Sequence, residues 1–197
     1  MQDFFLYFKL GLEHVLDLNA YDHILFLIVL VVAYNLKQWK ALLWLVTSFT
    51  IGHSISLALS AYKFIAADAG FVEFLIPLTI VITAAINVFS GTKNGGLIKI
   101  ILFLSFCFGW IHGLGFSFYF KMLLEASESK WLPLLEFSLG IEAAQLCVVV
   151  GISIVYALVH TFFRVTKRDW ILVLSSIVIG IAIPMLIERF DAFVGVL

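Results

Sequence analysis

Charged side chains make up only 13% of the 197 residues, about half the share of a soluble domain. The chain therefore cannot clothe a water-soluble globule. A net charge of −1 leaves no basic excess of the kind that nucleic-acid binding draws on. Cysteine is limited to Cys107 and Cys147, both inside apolar runs, which argues against a disulfide framework. Three prolines, Pro77, Pro133 and Pro184, are too few to mark a set of discontinuous helices, and Pro133 is an ordinary first-turn proline. The opening MQDFFLYFKLGLEH lacks a basic n-region and a small-residue cleavage site, so no cleavable leader is expected. Repeats, low-complexity tracts and linkers are likewise missing, which leaves one domain over residues 1–197.

Hydrocarbon is what the chain has instead. With 63% hydrophobic residues and a mean hydropathy of +1.11, it reads as an all-α, polytopic transmembrane helix bundle. Apolar runs that approach the roughly 20 residues of a bilayer crossing fall at about 20–36, 39–62, 71–90, 97–122, 132–160 and 169–190. A short helix over about 3–17 precedes them, lying at the interface or dipping in as a seventh. Bases decide orientation. Lys37, Lys40, Lys93, Lys99, Arg164, Lys167 and Arg168 lie on one side. Lys9, Lys63, Lys121, Lys130 and Arg189 lie on the other, with most of the acids. The first side is expected to be cytoplasmic and both termini to face outward. Small residues recur at every fourth position, as Gly52, Ser56 and Ser60, as Ser105, Gly109, Gly113 and Ser117, and as Gly140 and Ala144. Such stripes let helices approach closely in lipid.

The costly residues are the ionisable ones inside these runs, each about 2.5 to 3.5 kcal/mol at mid-membrane on insertion scales. His14 and His23 could not share a ligand on one unbroken helix, where nine steps of about 100° put them on opposite faces roughly 13 Å apart. Asp17-Leu18-Asn19 offers a break. Asn19 is expected to cap a new helix from about Ala20, with Asp22 reaching back as in a capping box. His53 lies 14 residues beyond Trp39 and His112 lies 15 beyond Leu97, so both sit roughly 21 to 22 Å from the cytoplasmic face. Glu73 opens its span from outside, and Glu142 lies roughly 13 to 16 Å below that surface. Histidine with carboxylate and no thiolate is the donor set of Zn²⁺, Ni²⁺, Co²⁺, Mn²⁺ or Fe²⁺. His14, Asp22, His23, His53, Glu73, His112 and Glu142 are the candidate metal ligands. Seven exceed one four-coordinate ion, so some orient ligands or a second ion binds. Asp17, Glu73 or Glu142 could fix the second imidazole nitrogens. Glu136 is read as solvated near the outer surface, and His160 as a terminal-turn cation.

Several blocks carry a resemblance: Gly11-x-x-His14 with Asp22-His23-x-Leu25-Phe26; Ser48-Phe49-Thr50-Ile51-Gly52-His53-Ser54; Glu73; Phe108-Gly109-Trp110-Ile111-His112-Gly113-Leu114-Gly115-Phe116; and Leu139-Gly140-Ile141-Glu142-x-x-Gln145. In this order they resemble the HupE/UreJ family of bacterial membrane proteins. The resemblance implies a multi-pass inner-membrane protein regarded as a nickel or cobalt permease. The family's His-x5-Asp-His motif is longer here, with seven residues between His14 and Asp22, and no His-rich loop is present. Two functions stand beside each other. One is a permease for Ni²⁺ or Co²⁺ within the lipid bilayer. The other is an intramembrane Zn²⁺-type hydrolase open to the outer side, with Glu142 or Glu73 as acid or base. A sensor or a structural partner in a membrane complex is the third reading.

Overall fold

Residues 2–90, 98–124 and 130–195 are described by the computed structural model of the chain. The expected connection at 91–96, with Lys93, lies outside the described residues, as does 125–129. The fold is all-helical among the described residues: α1 (Gln2–Leu16), α2 (Asp22–Val31), α3 (Trp39–Ala61), α4 (Ala69–Ser90), α5 (Ile98–Leu124), α6 (Trp131–Phe163) and α7 (Lys167–Val194). Helices α3 to α7 are long and apolar enough to cross a bilayer.

The run expected to span at 20–36 is instead a helix of 10 residues, about 15 Å long and half a crossing. Its course explains the difference. Tyr7 meets the ring of Phe120 and His14 that of Phe116, while His23 meets His112 and Phe26 meets Phe108. Both α1 and α2 therefore run antiparallel to α5, in the same sense, and share one traverse of the bundle as the two halves of a broken helix. A helix end buried in the bundle must satisfy its carbonyls without water. Asn87 Nδ2 donates to the Val29 carbonyl at 2.6 Å, and Lys167 Nζ donates to that of Tyr34.

The break forms differently from the expected cap. Asn19 does not cap α2. Tyr21 holds the N-cap position without a side-chain bond, and Asp17 Oδ1 accepts from Asn19 N at 2.8 Å and from Asn19 Nδ2 at 3.1 Å. The aspartate that could have tied down an imidazole is thus spent on the turn. A capping box does occur further on, between Asn35 and Gln38, starting the 3₁₀ turn Leu36–Gln38.

Three pairings build the bundle: α3 on α5, α1 on α6 and α4 on α7. Glycine sets the first two. A Cβ at Gly52 would overlap the Phe106 carbonyl oxygen, one at Gly109 that of Phe49, and one at Gly113 that of His53. Gly11 and Gly140 let α1 and α6 meet in the same way, against Phe137 and Phe8. Ser48 and Ser105 add hydroxyl bonds from α3 to the Leu102 carbonyl and from α5 to the Leu45 carbonyl. Because α1 lies along the first turns of α6, Glu136 is 3% exposed, not solvated as its place near the outer surface suggested. His160, in the last turn of α6, is exposed and bonds the Val165 carbonyl through Nδ1. Below, the upper end of the bundle is the one where α3 ends and α4 begins; the lower end is where α3 begins and α6 ends.

Candidate metal centre

The broken helix brings His14 and His23 together, their ring centroids 4.5 Å apart. From α3, His53 stands 5.7 Å from His14 and 6.3 Å from His23, and from α5, His112 stands 5.1 Å from His23. Four helices thus deliver four imidazoles to one spot. One ligand nitrogen from each of His14, His23 and His53 can be chosen so that all lie within 4.8 Å of one another. His112 sits at the edge of this trio. The close crossing of α3 and α5 at Gly109 and Gly113 is what sets His53 and His112 at a common level.

Hydrogen bonding decides which nitrogens are free. His112 Nδ1 lies 2.8 Å from the Phe108 carbonyl oxygen, which can only accept, so Nδ1 carries the proton and Nε2 keeps its lone pair. His23 Nδ1 lies 3.1 Å from Asp22 Oδ1, and a carboxylate there likewise leaves Nε2 as the lone-pair nitrogen. Nε2 of His14, His23 and His112, and both nitrogens of His53, are buried without a hydrogen-bond partner among the described residues. Each such orphan costs about 1 to 3 kcal/mol. Five at one place, on four imidazoles that can each present one lone pair of the borderline class, fit a transition-metal ion. The Asp22–His23 and Phe108–His112 bonds are the outer contacts that fix tautomer and ring orientation for a ligand.

The carboxylates behave unlike one another. Asp22 backs His23 through its carboxylate. Glu73 pairs with Arg189, Oε2 to Nη1 at 2.6 Å, both side chains about half exposed. Glu142 accepts from Thr47 Oγ1 at 2.6 Å, and its Oε2 is buried and unpartnered among the described residues. Thr50 Oγ1 donates to Gln145 Oε1 at 2.9 Å. Thr50 and Thr47 lie three and six residues before His53 on α3, so this polar box sits about 5 to 9 Å below the histidines. Counting from the helix ends had put Glu142 level with them. It misses the reach of a long side chain between antiparallel helices, which takes Glu142 past Thr50 to Thr47.

A cavity of about 210 Å³ opens from the cluster towards the upper end, lined by His14, Asp22, His23, Glu73, His112 and Arg189 among others. A second, of about 430 Å³, lies at the lower end beside Ser153, Tyr156 and His160. Arg189 had registered in the sequence only as one base among the outer charges. Thr47 carried no signal beyond polarity, and Thr50 and Gln145, though inside the blocks that carry the resemblance, were given no role of their own.

Asp22→Asn is expected to keep one metal per chain at saturation but to weaken binding about 10- to 100-fold, the usual cost of losing a ligand's outer partner. Competition with a chelator of known affinity measures it.

Compared with protein-family models, residues 1–189 match the one described as HupE / UreJ protein. Neither a curated protein nor a solved structure matches the chain.

Proposed function

Because the chain belongs to the HupE / UreJ protein family, we propose that it conducts divalent transition-metal ions of the Ni²⁺ or Co²⁺ type across a bacterial inner membrane, from the periplasmic side inward. In this reading the upper end of the bundle and both termini face the periplasm, and the ion is cargo. The observation that carries it is the three-imidazole cluster from α1, α2 and α3, reached from above by a cavity and continued below by polar groups. On α6, Glu142, Gln145, Ser153, Tyr156 and His160 follow one another at helical spacing along one face. Only the buried Val149 interrupts the line, and it ends in the lower cavity. An inner half with hydroxyls alone would relay a divalent cation poorly. Glu142, set below the histidines, supplies the carboxylate such a route needs.

The hydrolase reading draws on the same trio, since three histidines leave a fourth position for water. It also needs a carboxylate free to move a proton beside that water. Asp22 is bonded to His23, Glu73 is paired with Arg189 at the mouth, and Glu142, bonded to Thr47, lies below the trio rather than beside it. The permease is therefore favoured.

Purified protein in liposomes tests it. Inward flux of Ni²⁺ or Co²⁺ is expected from wild type, and Glu142→Gln should cut the flux at least about tenfold while the metal stays bound at the histidines. One bound ion per chain with no flux in wild type would overturn the permease in favour of catalysis or sensing.

A further inference from the structure

The upper cavity carries a charge that a cation route has no evident use for. Arg189, on α7, lines the same cavity as His14, His23 and His112 and is held by Glu73 of α4 across its mouth. Holding the helices together does not explain the pair. A half-exposed ion pair adds about 0 to 1 kcal/mol, and the same helix ends are already joined by Phe71 on Phe193 at 5.6 Å and Phe74 on Phe190 at 5.5 Å. What the pair does control is the sign of the mouth. With both side chains in place the charges cancel, and loss of either leaves a unit charge facing the cavity.

We propose that Glu73 and Arg189 form the charge filter of this mouth. Arg189 neutralises the Glu73 carboxylate until a divalent cation draws it away, which makes Glu73 the first ligand an entering ion meets and Arg189 the residue that sets which ions can recruit it. A divalent ion gains about twice the Coulomb energy of a monovalent one from the same carboxylate at the same distance, so the exchange selects by charge. The imidazoles beyond then select by donor type, since hard oxygen-seeking ions gain little from nitrogen. The inference rests on the reading that the histidines bind entering metal.

Stopped-flow mixing of the purified full chain with Co²⁺ alone, followed by the d–d absorption of nitrogen-bound cobalt, tests the filter. Arg189→Gln leaves a negative mouth and is expected to raise the association rate about tenfold or more. Glu73→Gln leaves a positive one and should lower it by as much. Arg189→Lys, which keeps the charge, should stay near the wild-type rate, and the Glu73→Gln/Arg189→Gln double variant, neutral but without the first carboxylate, should fall between the two single variants. The differences should shrink in about 1 M salt, where charges are screened beyond about 3 Å, and the number of cobalt ions bound at saturation should not change. If both single variants shift the rate in the same direction, or only lower the melting temperature together, the pair is a structural latch and the proposal is wrong. Should wild type itself bind no cobalt, the metal-site reading fails first and takes the filter with it.

Discussion

His53→Ala is expected to abolish stoichiometric binding of Ni²⁺, Co²⁺ or Zn²⁺ to the purified protein, measured by metal analysis after gel filtration. His53 is 0% exposed, with neither ring nitrogen partnered among the described residues, so no neighbouring described side chain stands ready to replace it. Zinc bound by four ligands in small folded sites is worth about 10 to 16 kcal/mol. An equal share per ligand is about 3 kcal/mol, which is more than 100-fold in affinity. A purely packed histidine behaves otherwise. Its removal would leave metal content unchanged and cost the stability that large-to-small core changes cost, about 2 to 5 kcal/mol. In the ligand reading that cost is partly offset, because two orphaned nitrogens leave the interior. The metal-free variant should then melt close to metal-free wild type. What disappears is the added stability from the ion, about 2.7 kcal/mol when the ion stands at 100 times its dissociation constant.

The second large effect is structural. Gly109→Leu should destabilise the protein by about 1 to 3 kcal/mol or more, visible as a lower melting temperature, and should lower metal affinity as well. A Cβ at 109 already overlaps the backbone of Phe49, and backbone cannot yield as a side chain does. Helix α5 must then move off α3, which parts His112 from the trio. Gly151 and Gly180 meet nothing within 4 Å, so alanine at either is the control. In a helix interior that change is expected to be neutral or to stabilise by up to about 1 kcal/mol. If Gly109→Leu melted like wild type and bound metal as tightly, the α3–α5 contact would not be what positions the cluster.

Much of this was legible in the sequence, for reasons that separate the residues. Composition and run length announce a helical membrane bundle because lipid leaves the backbone few other forms. The four-residue stripes of Gly and Ser mark the α3–α5 contact because only a missing side chain lets two backbones touch. His14 and His23 could be joined on paper, since helical periodicity forbids a shared ligand without a break. Depth counting brought His53 and His112 to one level for the same arithmetical reason. Asp17 and Asn19 escaped, because the turn chose between two local hydrogen-bond patterns of similar strength. Half of a broken helix looks like a short span to any count of apolar residues, so α2 was read as a crossing of its own. Glu142 was placed too high and the pairing of Glu73 with Arg189 was overlooked because the partners lie 95 and 116 positions away, and nothing local in a sequence encodes such a meeting.

At the centre of this account is the proposal that the imidazoles of His14, His23 and His53, with His112 at their edge, hold one metal ion. The X-ray absorption spectrum of the purified protein loaded with one equivalent of Zn²⁺ addresses that most directly. Three or four nitrogen neighbours at about 2.0 to 2.1 Å, with the outer-shell scattering of imidazole rings, are expected. A shell of oxygen atoms, or a single imidazole, would contradict it.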